Sequence, residues 1–263
     1  MEEILGISAN QKIKNNKQYN SKPFVSIVMP AFNEAAIVEE SLNKICKYME
    51  LIEDEYSWEL IFVNDGSTDR TGEIADEFAE TRVNVFVLHH KVNFRLGQAL
   101  RFAFNNCNGD YIVTLDIDLS YSPDHIKKLL DRIDNSKAKI VIASPYMKGG
   151  KISNVPWLRK IMSYWANRFM SISSAENIST FTGMVRAYDR RFLSTLNLKA
   201  MDHEINPEII YKAQLLRARI EEIPAHLDWS SQNRVKDKRT SSMRISRGIL
   251  SGLFSGFIRR TVV

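Results

Sequence analysis

Asp116 and Asp118 stand two residues apart just beyond an apolar, β-branched run, Tyr111 to Leu115. Such a run reads as a buried strand that delivers both carboxylates at its exit. Two like charges this close repel, so a strand end that keeps both offsets them with a cation, with hydrogen bonds or with water. Oxygen ligands with room left for phosphate oxygens suit Mg²⁺ or Mn²⁺ better than Zn²⁺. The same residues also fit a plainer reading, a strand followed by a solvated acidic turn, with Ser122 capping the next helix and Pro123 starting it.

The elements that must position this pair follow from the pattern on either side. FVSIVM, from Phe24 to Met29, is nearly continuous in apolar residues, as in a strand covered on both faces. After Pro30, apolar residues recur at helical spacing (Ile37, Leu42, Ile45, Cys46, Met49), with Asn33 placed to cap that helix. WELIFVND predicts a second strand ending at Asp65, and Gly66 turns the chain into a helix over GSTDRTGEIADEFAE. VNVFVLHH and NFRLGQALRFAFNNC repeat the alternation, then YIVTLDID and SPDHIKKLLDRI, then AKIVIASPY. Repeated strand and helix units predict an α/β fold, a mostly parallel sheet with right-handed crossovers and helices on both faces. Ligands in such folds gather at the carboxyl ends of the strands, which selects 30–34, 65–69, 89–93 and 116–120 as one neighbourhood. No strand is followed by G-x-G-x-x-G or a Walker pattern, which argues against an NAD-binding domain or a P-loop ATPase.

After Lys148 the alternation fails. Residues 155–172 form an aromatic-rich amphipathic helix with Arg159 and Ser163 one turn apart on one face. FTGMVRAYDRRFL and INPEIIYKAQLLRA follow, and ARIEEIPAHLDW predicts a late strand. The boundaries expected are a flexible extension over 1–22, one domain over 23–232, and a basic, amphipathic segment over 233–263 able to lie in a membrane interface.

Composition agrees with a globular chain: 263 residues, 44% hydrophobic, 25% charged, net charge +5. From Arg234 onward Lys and Arg recur with Asp237 the only acid, a tail that could meet an anionic membrane or a diphosphate; nucleic acid is disfavoured because no binding motif accompanies it. No apolar run reaches bilayer-spanning length, and the first residues lack the apolar stretch of a secretory signal. Cys46 and Cys107 lack metal-ligand spacing and read as reduced, packed thiols.

SIVMPAFNEA, VNDGSTDRTGEIA, the N-x-x-x-G of NFRLGQA and LDIDLSYSPD, in this order and each at a predicted strand end, resemble the family-2 glycosyltransferases of the Rossmann-like GT-A fold. Within that family the chain is most similar to the dolichol-phosphate mannose synthase (polyprenyl-phosphate glycosyltransferase) group. The resemblance implies that Pro30, Ala31, Asn33 and Glu34 line a nucleotide pocket and that Asp65 binds the base edge as a hydrogen-bond acceptor. It implies that Asp116 faces ribose and metal, that Asp118 ligates the metal, and that Mg²⁺ or Mn²⁺ neutralises the departing nucleoside diphosphate. On the acceptor side it implies Arg159 and Ser163 on a phosphate, with Arg186 shaping that site. Asp116, Asp118 and Arg159 carry the catalytic work in this reading. Arg239 and Ser241 of RTSSM correspond to a basic segment closing over the diphosphate.

Three positions depart from the group's pattern: Ser120 stands where it has Gln, Pro145 where it has Arg, and FTGMVR is one residue longer than the usual S-G-F-R. There is no Q-x-x-R-W element, which argues against a processive polysaccharide synthase. The function implied is inverting transfer of a hexose, mannose from GDP-mannose or glucose from UDP-glucose, to a polyprenyl (dolichyl-type) phosphate, by a protein peripheral to the cytoplasmic membrane face. A phosphate acceptor is already ionised near neutral pH and needs no base. Transfer to a sugar hydroxyl of a lipid-linked or polysaccharide acceptor would need one, with Asp202 or Glu204 available. A third reading is a catalytically silent nucleotide-sugar-binding module.

Overall fold

The computed structural model describes residues 22–172 and 178–230. In chain order the elements are β1 (Phe24–Ala31), α1 (Val38–Leu51), β2 (Ser57–Asn64), α2 (Thr71–Glu80), β3 (Val85–His89), α3 (Leu96–Asn106), β4 (Tyr111–Thr114), α4 (Asp124–Ser136), β5 (Ile140–Ser144), β6 (Lys151–Ser153), α5 (Trp157–Ile172), β7 (Arg186–Asp189), α6 (Arg190–Leu193), α7 (Ile205–Leu215), β8 (Ile220–Pro224) and β9 (His226–Asp228). Seven strands form one sheet in the order β3-β2-β1-β4-β7-β5-β8, and β6 pairs with β9 in a small second one. All pairings are parallel except those of β7, which lies antiparallel between β4 and β5.

The continuous apolar strands are explained by burial on both sides. Alternate residues of β1 go to opposite faces: Ile27 and Met29 join Leu42, Ile45, Phe62 and Leu129, whereas Val28 joins Ile61, Leu100, Ile112 and Ile209. Cores on both faces of a mostly parallel sheet match the expected α/β architecture, and its GT-A type is borne out by the structural relatives described below. The β1–β2 register pairs Ala31 with Asn64, and the β1–β4 register pairs Val28 with Thr114. The carboxyl ends of β1, β2 and β4 are therefore neighbours, which brings their loops together.

Three local expectations are corrected. Asn33 does not cap α1, which begins four residues further on from Ile37; Asn33 sits at φ 57° and its side chain accepts instead from Thr68 N at 2.8 Å. Ser122 does not cap α4, whose N-cap is Pro123; its hydroxyl is taken by Asp124, next in the helix. Within FTGMVRAYDRRFL, where no strand was expected, Arg186–Asp189 forms β7, which fills the gap between β4 and β5, and the chain then turns into α6 with the Asp189 carboxylate accepting from Phe192 N at 3.0 Å. The expected extension over 1–22, save its last residue, and the expected basic, amphipathic carboxyl-terminal segment over 233–263 lie outside the described residues.

Candidate active site at the carboxyl edge of the sheet

The β2–α2 loop is mostly a scaffold for the β1–α1 loop. Ser67 Oγ accepts from Asn33 N (3.0 Å), Thr71 Oγ1 from Glu34 N (2.8 Å) and Asp69 from Ala35 N (3.2 Å). Asp69 also takes the N–H and hydroxyl of Thr71. Burial works against its charge, but these hydrogen bonds outweigh burial and hold its carboxyl below the usual range. The D-G-S-T-D-x-T sequence thus fixes the backbone from Ala31 to Ala35, the stretch on which Pro30, Ala31, Asn33 and Glu34 fall.

Asp65 caps the strand end from below. Its Oδ1 accepts from Phe94 N (3.0 Å) and contacts His90 Nδ1 (2.6 Å), and its own N–H bonds Ala31 O (2.9 Å). His90 is buried, stacked on Phe102 with 4.9 Å between ring centroids and edge-on to Phe94. Gly66 has φ 69°, and a Cβ there would come within 2.2 Å of the Val92 carbonyl carbon, so this turn needs glycine for both conformation and space. The loop over 90–94 is thereby pressed against Asp65.

At the end of β4, Asp118 accepts from Ser120 N at 2.8 Å across Leu119, a leucine held at φ 50°. A bulky residue in the left-handed region costs free energy, and such positions concentrate at ligand sites. Burial, then the Asp118 charge, push the Asp116 carboxyl up to about 7, with Arg159 opposing. Burial, then Asp118 and Asp69, push Glu34 up to about 7 as well. Glu34 was expected in a nucleotide pocket; here it joins the two aspartates electrostatically. Arg159 reaches the same corner from α5: burial lowers its guanidinium, while Asp118 and Asp116 oppose that, and its carbon Cζ lies 4.1 Å from the ring centre of Trp229.

A hard divalent cation fits this corner. Burial and neighbouring acids suppress the ionisation of Asp116 and Glu34, and a Mg²⁺ or Mn²⁺ ion among these oxygens would relieve that repulsion. Among the described residues no group of three or more His, Cys, Asp or Glu forms a metal cage. Asp116 and Asp118 would therefore hold the ion with water and phosphate oxygens completing its shell, the habit of Mg²⁺. Ser120, in place of the group's Gln, keeps a buried hydroxyl without a hydrogen-bond partner among the described residues.

Other expected site residues divide. Ser163 does lie one turn beyond Arg159, beside Tyr146. Arg186, expected to bind and shape the acceptor site, is fully buried, its guanidinium bonding Asn206 O (2.9 Å) and Phe181 O (2.6 Å), so any shaping it does is indirect, by bracing the 180–183 turn from inside. Asp202 is paired with Arg95 at 2.9 Å. Arg239 and Ser241 lie outside the described residues. Sequence reasoning missed His90 as the partner of Asp65, Tyr146 and Trp229 beside Arg159, and Asn167. Buried Asn167 ties α5 to the 180–183 turn, accepting from Phe181 N (2.7 Å) and Thr182 N (3.2 Å). Only its helical spacing from Ser163 could have flagged it.

Residues 26–196 match the family described as Glycosyl transferase family 2, and the chain belongs to that family. It is 34% identical over 139 residues to the dolichol-phosphate mannosyltransferase of Pyrococcus furiosus, covering 53% of this chain and 38% of that protein. It is 30% identical over 183 residues to the polyprenol monophosphomannose synthase of Mycolicibacterium smegmatis, covering 67% and 65%. A dolichyl-phosphate beta-glucosyltransferase of Trichomonas vaginalis is 25% identical over 236 residues, 86% of this chain and 72% of that protein. The matched part is thus well under half of the first relative and about two thirds of the second.

Among solved structures, the mannosyltransferase of Pyrobaculum calidifontis in complex with GDP-Man and Mn²⁺ superposes with a TM-score of 0.63 at 20% identity, over 90% of this chain and 65% of that one. Glucosyl-3-phosphoglycerate synthase of Mycobacterium tuberculosis, with Mn²⁺, UDP and phosphoglyceric acid, gives 0.61 at 20% identity, over 89% and 78%. These likenesses establish the GT-A fold.

Proposed function

We propose that the chain transfers a hexose from a nucleoside-diphosphate sugar to a polyprenyl phosphate at a membrane surface, with inversion at the anomeric carbon. GDP-mannose is the first donor to try and UDP-glucose the second. The observation that carries the reading is the approach of Arg159, from α5, to the Asp116 and Asp118 pair. A cation from the acceptor side thereby meets the acids of the donor side, as in-line attack by an anionic acceptor requires.

In this reading the 31–35 backbone and Asp65 orient the nucleotide, with His90 fixing the Asp65 carboxylate. Asp116 and Asp118 would hold a divalent cation, which when bound supplies charge neutralisation for the leaving diphosphate. Arg159 and Ser163 steady the acceptor phosphate, a guanidinium and a hydroxyl one helical turn apart. Because that phosphate is ionised near neutral pH, no base is needed. The ion pair between Asp202 and Arg95 supports this over a hydroxyl acceptor, since it occupies one of the two carboxylates, Asp202 and Glu204, that could serve as base.

A lipid acceptor is further supported by α5. Trp157, Leu158, Ile161, Met162, Trp165 and Phe169 on it are exposed, and a concentration of large apolar side chains on one helix suits a membrane interface. Among the described residues no helix is long and apolar enough to cross a membrane.

The test is a panel of nucleotide sugars against short polyprenyl phosphates, with Mg²⁺ or Mn²⁺. Expected is release of nucleoside diphosphate only when sugar, metal and lipid phosphate are all present, retained in Asp202→Asn. Loss of transfer in that variant, with activity toward sugar hydroxyls in the unaltered protein, would favour the hydroxyl acceptor. No release with any pair would favour a silent binding module.

A further inference from the structure

The indole of Trp229 lies against the Arg159 guanidinium, whose Cζ is 4.1 Å from the ring centre, and both side chains are half-buried. Among the described residues no hydrogen bond or ion pair engages that guanidinium, although Asp118 and Asp116 attract it. The backbone that carries the indole is tied on several sides. Trp229 N donates to Ser153 O (3.2 Å), and Asp228 N donates to Ser120 O (2.8 Å). The Asp228 carboxylate accepts from Asn154 Nδ2 (2.7 Å) and Ser230 N (3.0 Å). Ser120 is the residue whose N–H Asp118 holds, and Asn154 stands just before α5. The end of β9 is thus fastened both to the acid corner and to the entry of α5, the helix that carries Arg159.

We propose that Trp229 is a positioning residue, whose ring face seats the Arg159 guanidinium and leaves the donors on its rim for the acceptor phosphate. The assignment rests on the polyprenyl phosphate reading above, in which Arg159 meets that phosphate. A guanidinium is planar, with its five N–H donors around the rim and none on the faces. A carboxylate partner would take rim donors and offset the charge. An aromatic face attracts the cation through its quadrupole and takes neither, and the attraction strengthens as water is excluded. Without that seat the two aspartates would draw the guanidinium onto themselves, where its donors would be used up and the acids' oxygens covered. Trp229 acts on the substrate only through Arg159.

Calorimetric titration of the full chain with farnesyl phosphate, a short lipid phosphate, tests this without requiring turnover. Trp229→Ala is expected to weaken binding about tenfold, as for loss of a partly desolvated cation–π contact. Trp229→Phe keeps an aromatic face and should bind within about threefold of the unaltered protein, whereas Trp229→Leu keeps bulk without that face and should lose as much as the alanine variant. In an Arg159→Ala background, removing Trp229 as well should change affinity less than about twofold, because the indole then has nothing to seat. Melting temperatures verify that each variant folds. Equal binding by the Phe and Leu variants, a tenfold loss that persists without Arg159, no loss in Trp229→Ala, or no binding by the unaltered protein overturns the proposal. Where Arg159→Ala alone abolishes measurable binding, the contrast between Phe and Leu decides. Coupling of the two residues without sugar transfer would keep the positioning role and remove the proposed reaction; transfer with independent losses would do the reverse.

Discussion

Asp116 and Glu34 titrate far above ordinary carboxyls, and the sign of that displacement makes a prediction. Both are pushed to about 7 by burial and neighbouring acids, whereas in an unfolded chain they ionise near 4. Their contribution to stability is therefore complete below about pH 4 and lost as the pH rises to 7. Without metal, the melting temperature should carry a declining component across that interval. A cation between the aspartates favours the ionised forms, so Mn²⁺ should raise the melting temperature more at pH 8 than at pH 5.5. Asp118→Asn should abolish most of that rise and lower turnover by about 10²–10³-fold, the scale of losing one transition-state charge contact. A Mn²⁺ effect independent of pH would contradict this picture. The acids were legible in the sequence because a strand exit is a fixed address in a parallel sheet. His90 was not: its bond to Asp65 crosses 25 positions of chain, and nothing in VLHH distinguishes a histidine turned inward from one turned to solvent.

At the scale of elements, α5 stands apart. Its inner face meets the domain through Arg159, Ser163 and Asn167, while among the described residues its outer face is left open. Asn167 is the main polar tie, serving the N–H groups of Phe181 and Thr182 and donating to Ser163 O at 2.9 Å. Asn167→Ala leaves those groups without their acceptor at a buried site, a cost of about 1–3 kcal/mol. Urea unfolding should record it as a lower midpoint with an unchanged slope, and transfer assays as a higher KM for the lipid acceptor with little change for the nucleotide sugar. An unchanged acceptor KM would separate the helix from acceptor binding. The helix itself was plain from its periodicity; its partner turn was not, because neither FTGM nor the asparagine advertises a contact. Nor was β7 visible. Four residues containing an arginine do not resemble a core strand, and Arg186 is buried with the carbonyls of Phe181 and Asn206 receiving its guanidinium.

The whole molecule presents an acidic cleft at the strand ends and an aromatic, apolar helix close by. Sedimentation with anionic lipid vesicles should recover the full chain, and Trp157→Ser or Trp165→Ser should weaken binding about tenfold or more, the expected loss for withdrawing a large side chain from an apolar phase. Binding that is indifferent to both tryptophans and abolished by salt would assign the attraction to basic residues instead. The repeated strand and helix units made the sheet's amino half readable from sequence, since each unit closes locally. The carboxyl half depends on pairings between distant segments, and there sequence pattern alone gave elements without an order.

The position of β7 has a consequence for how the protein is made. Because the strand that stands between β4 and β5 is supplied only by residues 186–189, a nascent chain leaving the ribosome cannot complete its sheet when its first five strands have emerged. For the time needed to translate the intervening forty-odd residues (Ser144 to Arg186), the facing edges of β4 and β5 wait unpaired. That interval, and not the finished protein, is where holdase chaperones have most to protect.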